Sequence, residues 1–182
     1  MILLILGVLL WFGAHAFKRL APEARAKLGE PGKGLVALLI VASIVLMVIG
    51  YRMAPYIQLY PTPSWTWHLN NLLMLLAFYL FAVSGAKTAL ARRIRHPQLT
   101  AFKTWAVAHL LVNGDLAALV LFGGLLGWAV WSVIVINRAN REWTPPEPVP
   151  VIKEVTTAAI AIVAFGAVAG IHTWLGYFPF GG

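Results

Sequence analysis

An all-α fold, a polytopic bundle of six transmembrane helices with both termini outside, is predicted by three observations. The chain is 60% hydrophobic and only 11% charged, with a mean hydropathy of +0.81, whereas soluble domains carry roughly 25% charged residues. Its apolar residues come in long unbroken blocks rather than alternating, which is the pattern of membrane spans. Its lysines and arginines cluster beside those blocks, where basic residues orient helices and meet anionic headgroups. The net charge of +8 therefore belongs to membrane topology and not to nucleic-acid binding. With 182 residues there is room for one transmembrane domain over 1–182. The chain has no cysteine, which removes disulfides, thiolate metal ligation and thiol catalysis.

Residues 2–17 are the first span. Ala14-His15-Ala16 has the form of a signal-peptidase site, but no basic segment precedes the apolar run; Lys18 and Arg19 follow it instead. A retained helix with its N-terminus outside is the expectation. Residues 18–33 are read as a polar loop in which Gly29, Pro31, Gly32 and Gly34 break any helix. The second span covers 35–51. An outer loop with Pro55, Pro61 and Pro63 among Tyr56, Tyr60 and Trp65 forms an aromatic belt. Ser64 or Thr66 is placed to cap the third span, 67–85. Residues 86–97 pattern as a short interfacial helix ended by Pro97.

Residues 98–137 are too long for one crossing, which takes about 20 residues. They divide into a short fourth span, 98–113, a tight hairpin at Asn113-Gly114-Asp115, and a fifth span, 115–136, capped by Asp115. The four prolines at 145, 146, 148 and 150 make 138–153 an extended connector. The sixth span, 154–175, precedes a short apolar tail. Six spans place thirteen of the fourteen lysines and arginines in cytoplasmic segments and only Arg52 outside. Five spans would move 138–153 outward and weaken that bias. Small-residue pairs, Gly123 with Gly127 and Gly166 with Gly170, permit close helix packing, either within the bundle or in a homodimer.

The histidines are sorted by depth. His15, His96 and His109 share the cytoplasmic half, while His68 and His172 fall near the outer surface. His109 stands roughly 15 Å into the fourth span, at 1.5 Å per residue. Its helical face comprises Phe102, Trp105, Ala106, Val112 and Asn113. An intramembrane titratable residue is a functional candidate by default, against an interhelical hydrogen bond worth about 1 kcal/mol. His15 is flanked by Gly13, Ala14 and Ala16, either to admit a flat ligand or because the ring snorkels to the interface. His96 precedes a proline and so reads as a turn residue, with a proton donor or exchangeable ligand as the second reading. His68 and His172 are either headgroup-level side chains or a second metal site. Imidazoles from facing helices can clamp a haem iron from both sides. Zinc is less well served, because no three histidines have a local ligand spacing.

Gly13-Ala14-His15, Arg95-His96-Pro97 and the run Trp105-Ala106-Val107-Ala108-His109-Leu110-Leu111-Val112-Asn113-Gly114-Asp115-Leu116 resemble the NnrU family, as does the closing Ile171-His172-Thr173-Trp174-Leu175-Gly176. These are multi-pass bacterial inner-membrane proteins linked to nitrite and nitric oxide reduction in denitrification. The resemblance covers essentially the whole chain. The family is in turn similar to zeta-carotene isomerase, a membrane haem b enzyme that isomerises a cis double bond of a polyene without net redox change. The resemblance implies haem ligands at His15 and His109 and matches the histidine before proline with His96. The isomerase has a cysteine three residues before its second ligand; Ala106 stands there in this chain, so a histidine-to-cysteine ligand exchange has no counterpart.

The expectation is one haem b held by His15 and His109, with Trp105 and Phe102 as walls, His96 nearby, and no catalytic residue assigned. Membrane lipids are expected partners. Two functional classes follow: a non-catalytic haem protein supporting nitric oxide or nitrite reduction, and an isomerase-like enzyme acting on a lipid-soluble substrate. A channel or transporter is disfavoured, since no span carries several charged residues along one face.

Overall fold

The computed structural model describes residues 1–181, and its regular elements are helices. Its elements are α1 (Ile2–Leu20), α2 (Pro22–Lys27), α3 (Pro31–Arg52), α4 (Trp65–Ala86), a single 3₁₀ turn (Ala89–Arg92), α5 (Pro97–Val112), α6 (Leu116–Ala139) and α7 (Val151–Trp174). All six apolar blocks are helices close to their expected limits. Five of them, α1, α3, α4, α6 and α7, are long and apolar enough to cross a membrane. Helix α5 has 16 residues, about 24 Å at 1.5 Å per residue, against a hydrocarbon core of about 30 Å. Large side chains such as Leu38 (65% exposed) and Val163 (70%) face outward. That exterior suits lipid, where only van der Waals fit and polar contacts draw helices together.

Two compact units divide the chain. The first comprises Met1–Pro61 and Gly114–Trp128, the second Thr62–Asn113 and Ala129–Gly182, so α6 gives its first half to one and its second half to the other. In the first unit α1 packs on α3 through small residues. Ser43, Met47 and Gly50 are buried on α3, and Leu4, Gly7 and Ala14 on α1, each set recurring at the three- and four-residue steps of one helix face. A Cβ on Gly50 would run into the backbone of Leu4, 2.7 Å from its Cα, and one on Gly7 would meet the Met47 nitrogen at 2.8 Å. The backbones touch because neither glycine has a side chain. Val8 Cγ1 fills the place of the missing Cβ of Gly124 on α6. That glycine directly follows a π-helical stretch, Leu119–Gly123. Such widened turns are rare overall and frequent at functional sites.

The outer corner of this unit is tied by backbone bonds. The Leu59 and Tyr60 amides donate to the Gly114 carbonyl at 2.8 and 3.2 Å, and the Leu116 amide donates to Ile57 at 2.8 Å. Asp115 performs the expected cap, accepting from the Ala118 amide at 2.9 Å from a buried position. Burial raises the Tyr60 phenol above its ordinary value near 10, and the negative charge of Asp115 adds to the rise. The folded state therefore favours the neutral phenol. Its stabilising contribution is full below pH 10 and is lost as the pH climbs through the raised value. Asp115→Ala is expected to cost about 1 kcal/mol in thermal unfolding through loss of the cap. Asp115→Asn should bring the Tyr60 phenol part of the way back toward 10, read by ultraviolet phenolate titration against a Tyr60→Phe blank; an unmoved phenol would refute the electrostatic part.

In the second unit α4 lies between α5 and α7. Its buried side chains include Asn70, Ala77, Leu80 and Val83; those opposite are mostly small, such as Ala101 and Ala108 on α5 and Thr157, Ala161 and Ala169 on α7. Phe78 packs edge-on against Phe165 at 5.9 Å, and Phe165 against Phe180 of the tail at 6.1 Å. The tail turns back because Gly176 adopts φ +89° after α7, a left-handed helix stop that glycine accepts without strain.

Four local expectations are corrected. Residues 18–33 are not free of helix: Pro22 and Pro31 each begin one, since proline at a first helical position loses no internal bond and is pre-set for the turn. Gly32 at the start of α3 leaves the room that a side chain would take, since an added Cβ would stand 2.6 Å from Leu28 Cβ. The interfacial helix reduces to the one 3₁₀ turn, as Lys87 ends α4 in the left-handed region. Neither Ser64 nor Thr66 caps α4 through its side chain; the Thr66 hydroxyl donates back to the Pro63 carbonyl at 2.6 Å. Finally, Gly127, Gly166 and Gly170 have nothing within 4 Å of their Cβ positions. The close approaches within the chain are made by Gly7, Gly50 and Gly124 instead.

Candidate functional site

His15, in the first unit, stands one helical turn beyond Trp11. Its Nδ1 is 2.9 Å from the Trp11 carbonyl oxygen. A carbonyl only accepts, so Nδ1 carries the proton and donates; in the neutral ring the lone pair then lies on Nε2. Two indoles pack on this imidazole, Trp11 at 4.2 Å and Trp128 of α6 edge-on at 4.7 Å, and the indoles meet each other edge-on at 5.3 Å. Ala14 and Ala16 beside it are buried.

His109, in the second unit, repeats this arrangement. Its Nδ1 donates to the carbonyl of Trp105, four residues earlier, at 2.9 Å. The Trp105 ring lies 5.0 Å from the imidazole, and Phe102 lies 5.1 Å from Trp105. Phe102, Trp105 and His109 thus form the aromatic stack expected of one helix face. Ala106 is fully buried. The Asn113 side chain donates to the His109 carbonyl at 2.8 Å, so His109 stands in the last turn of α5, beside the Asn113-Gly114-Asp115 hairpin and not in the cytoplasmic half of the span as expected.

Both histidines end the same five-residue pattern, Trp11-Phe-Gly-Ala-His15 and Trp105-Ala-Val-Ala-His109. The i, i+4 spacing brings tryptophan and histidine to one face. The alanine before each histidine is buried. The recurrence was legible in the sequence as W-x-x-A-H, although the sequence shows no repeat at the scale of whole helices. Trp128 carries no such local signal, because it meets His15 only through the packing of α6 on α1.

The remaining histidines separate by environment. His96 Nε2 is 2.8 Å from Asn137 Oδ1 of α6, so this ring bonds across the basic end of the second unit, away from the stack of Phe102, Trp105 and His109. His172 donates from Nδ1 to the Val168 carbonyl at 2.9 Å. His68 is exposed near the start of α4. Among the described residues no three histidine, aspartate or glutamate side chains gather into a group. Zinc sites take three or four such ligands, whereas a haem iron needs only one or two from the protein.

Apolar helices with outward-facing hydrophobic side chains, and basic residues gathered between them, define a multi-pass membrane protein. The NnrU protein family profile matches residues 3–179. The chain belongs to the NnrU family. No curated protein and no solved structure matches it.

Proposed function

We propose that this chain is a haem b protein of the bacterial inner membrane, in which His15 and His109 would hold the iron, with a supporting role in nitric oxide or nitrite reduction. The observation that carries the proposal is the twice-built W-x-x-A-H unit. Each imidazole is held in the tautomer that presents the Nε2 lone pair, and each is packed by indole. Metal-ligating histidines use the second ring nitrogen in this way, giving its N–H to a carbonyl that fixes the ring and raises ligand basicity. The donor set fits the group: two neutral imidazoles on apolar helices, with aromatic and alanine neighbours suited to a flat macrocycle. When bound, haem would supply a one-electron couple and an iron able to take up small ligands. Trp11, Trp128, Trp105 and Phe102 would shield it from water. Family membership supports the link to denitrification.

The test is the reduced-minus-oxidised spectrum of the protein purified in detergent after expression with haem supplied. The expected result is a haem b band at about one haem per chain; a folded protein without it would overturn the proposal. A six-coordinate iron that takes up no ligand would fit electron transfer. The enzyme reading, an isomerase-like activity on a lipid-soluble polyene, requires a displaceable axial ligand, and with alanine at 106 a cysteine cannot be the replacement.

A further inference from the structure

Helix α6 leaves its apolar span as Arg138-Ala139-Asn140-Arg141-Glu142, and Arg95 reaches the same segment from the turn before α5. Together these residues line a shallow, open groove. Arg95 is already committed. Its guanidinium donates to the carbonyls of Asn140, Arg141 (3.3 Å) and Glu142 (3.2 Å), fixing the connector in place. Arg138 and Arg141 are exposed, and among the described residues no carboxylate lies within ion-pair distance of either. Three arginines thus face one glutamate.

The groove opens where a 24-residue apolar helix ends, which is the depth of lipid headgroups. Trp143, partly exposed, follows two residues on and is of the type that anchors at that level. On α6, Val130 (43% exposed) and Ile134 (42%) point outward. They precede Arg138 by eight and four residues, so all three lie on one face. An apolar track therefore leads up to an unpaired guanidinium.

We propose that this groove binds the phosphate of an anionic phospholipid headgroup, with an acyl chain lying along Val130 and Ile134. Guanidinium forks match phosphate oxygens bidentately. The track favours a lipid over free phosphate, which would need only the arginines. The full chain, delipidated in neutral detergent, is titrated with phosphatidylglycerol, phosphatidylcholine or inorganic phosphate while bound lipid and thermal stability are followed. Phosphatidylglycerol is expected to bind and stabilise selectively. Juxtamembrane basic residues each contribute on the order of fivefold in affinity, so Arg138→Gln with Arg141→Gln should weaken it by at least about tenfold. Arg138→Lys with Arg141→Lys keeps the charge and loses the fork, and should fall between; it serves if the glutamine pair does not fold. Undiminished binding in both double variants would overturn the site. Equal protection by inorganic phosphate alone would overturn the lipid assignment.

Discussion

His109→Ala is expected to abolish haem retention while leaving helix content and detergent-extracted size unchanged. Loss of a hydrogen bond behind a metal-ligating histidine already costs roughly 10–100-fold in affinity, and loss of the ligand itself should exceed that. The side chain to be removed is partly buried and packed on Trp105, so the cavity left is small and the helix survives. His15→Ala should behave alike, whereas His96→Ala should retain the band, because that ring is engaged by Asn137. Difference spectra of the three variants decide the matter; an unchanged band in His109→Ala would remove it from the ligand set. His172→Ala is the informative control. It removes another imidazole of the second unit without touching the W-x-x-A-H motif, and loss of the band there alone would make His172 the ligand.

Gly50→Ala is expected to be the most damaging conservative substitution in the chain. Ordinary overpacking costs about 1–3 kcal/mol because neighbouring side chains can move. Here the neighbour is the backbone of Leu4, which moves only if α1 does, so the cost should reach or pass the top of that range. Gly13→Ala and Gly166→Ala meet nothing within 4 Å. They should be neutral or stabilise, since alanine is the better helix former by roughly 1 kcal/mol. Thermal unfolding of the purified variants separates these outcomes; equal midpoints for Gly50→Ala and Gly13→Ala would refute the close backbone contact.

The helices were legible because their cause is local. Lipid demands about 20 apolar residues per crossing, and the blocks, the basic segments and the Asn113-Gly114-Asp115 break each record that demand directly. Asp115 could be read as a cap because the interaction reaches only three residues along the chain. The place of Gly32 was not legible, since it depends on Arg25 and Leu28 lying against it from the preceding turn. Nor could the sequence distinguish glycines that touch a neighbour from those that face outward: Gly50 and Gly166 look alike until their partners are known. His109 stood out as a titratable group in an apolar run, and Trp105 and Phe102 followed from helical spacing. The wall that Trp128 gives His15 arises from a fold in which residues more than a hundred apart meet, and no periodicity announces it.

The discontinuity of the first unit also sets an order of events during synthesis. Residues 1–61 emerge first and already contain His15 and Trp11, but 114–128, which complete the unit and bring Trp128, follow only after the whole segment 62–113 has been made. At roughly 5–20 residues per second, the stretch from residue 62 to Trp128 takes about 3–13 s. During it the nascent α1–α3 pair exposes an imidazole whose second wall does not yet exist. The second indole wall of this imidazole is therefore set in place only when α6 arrives.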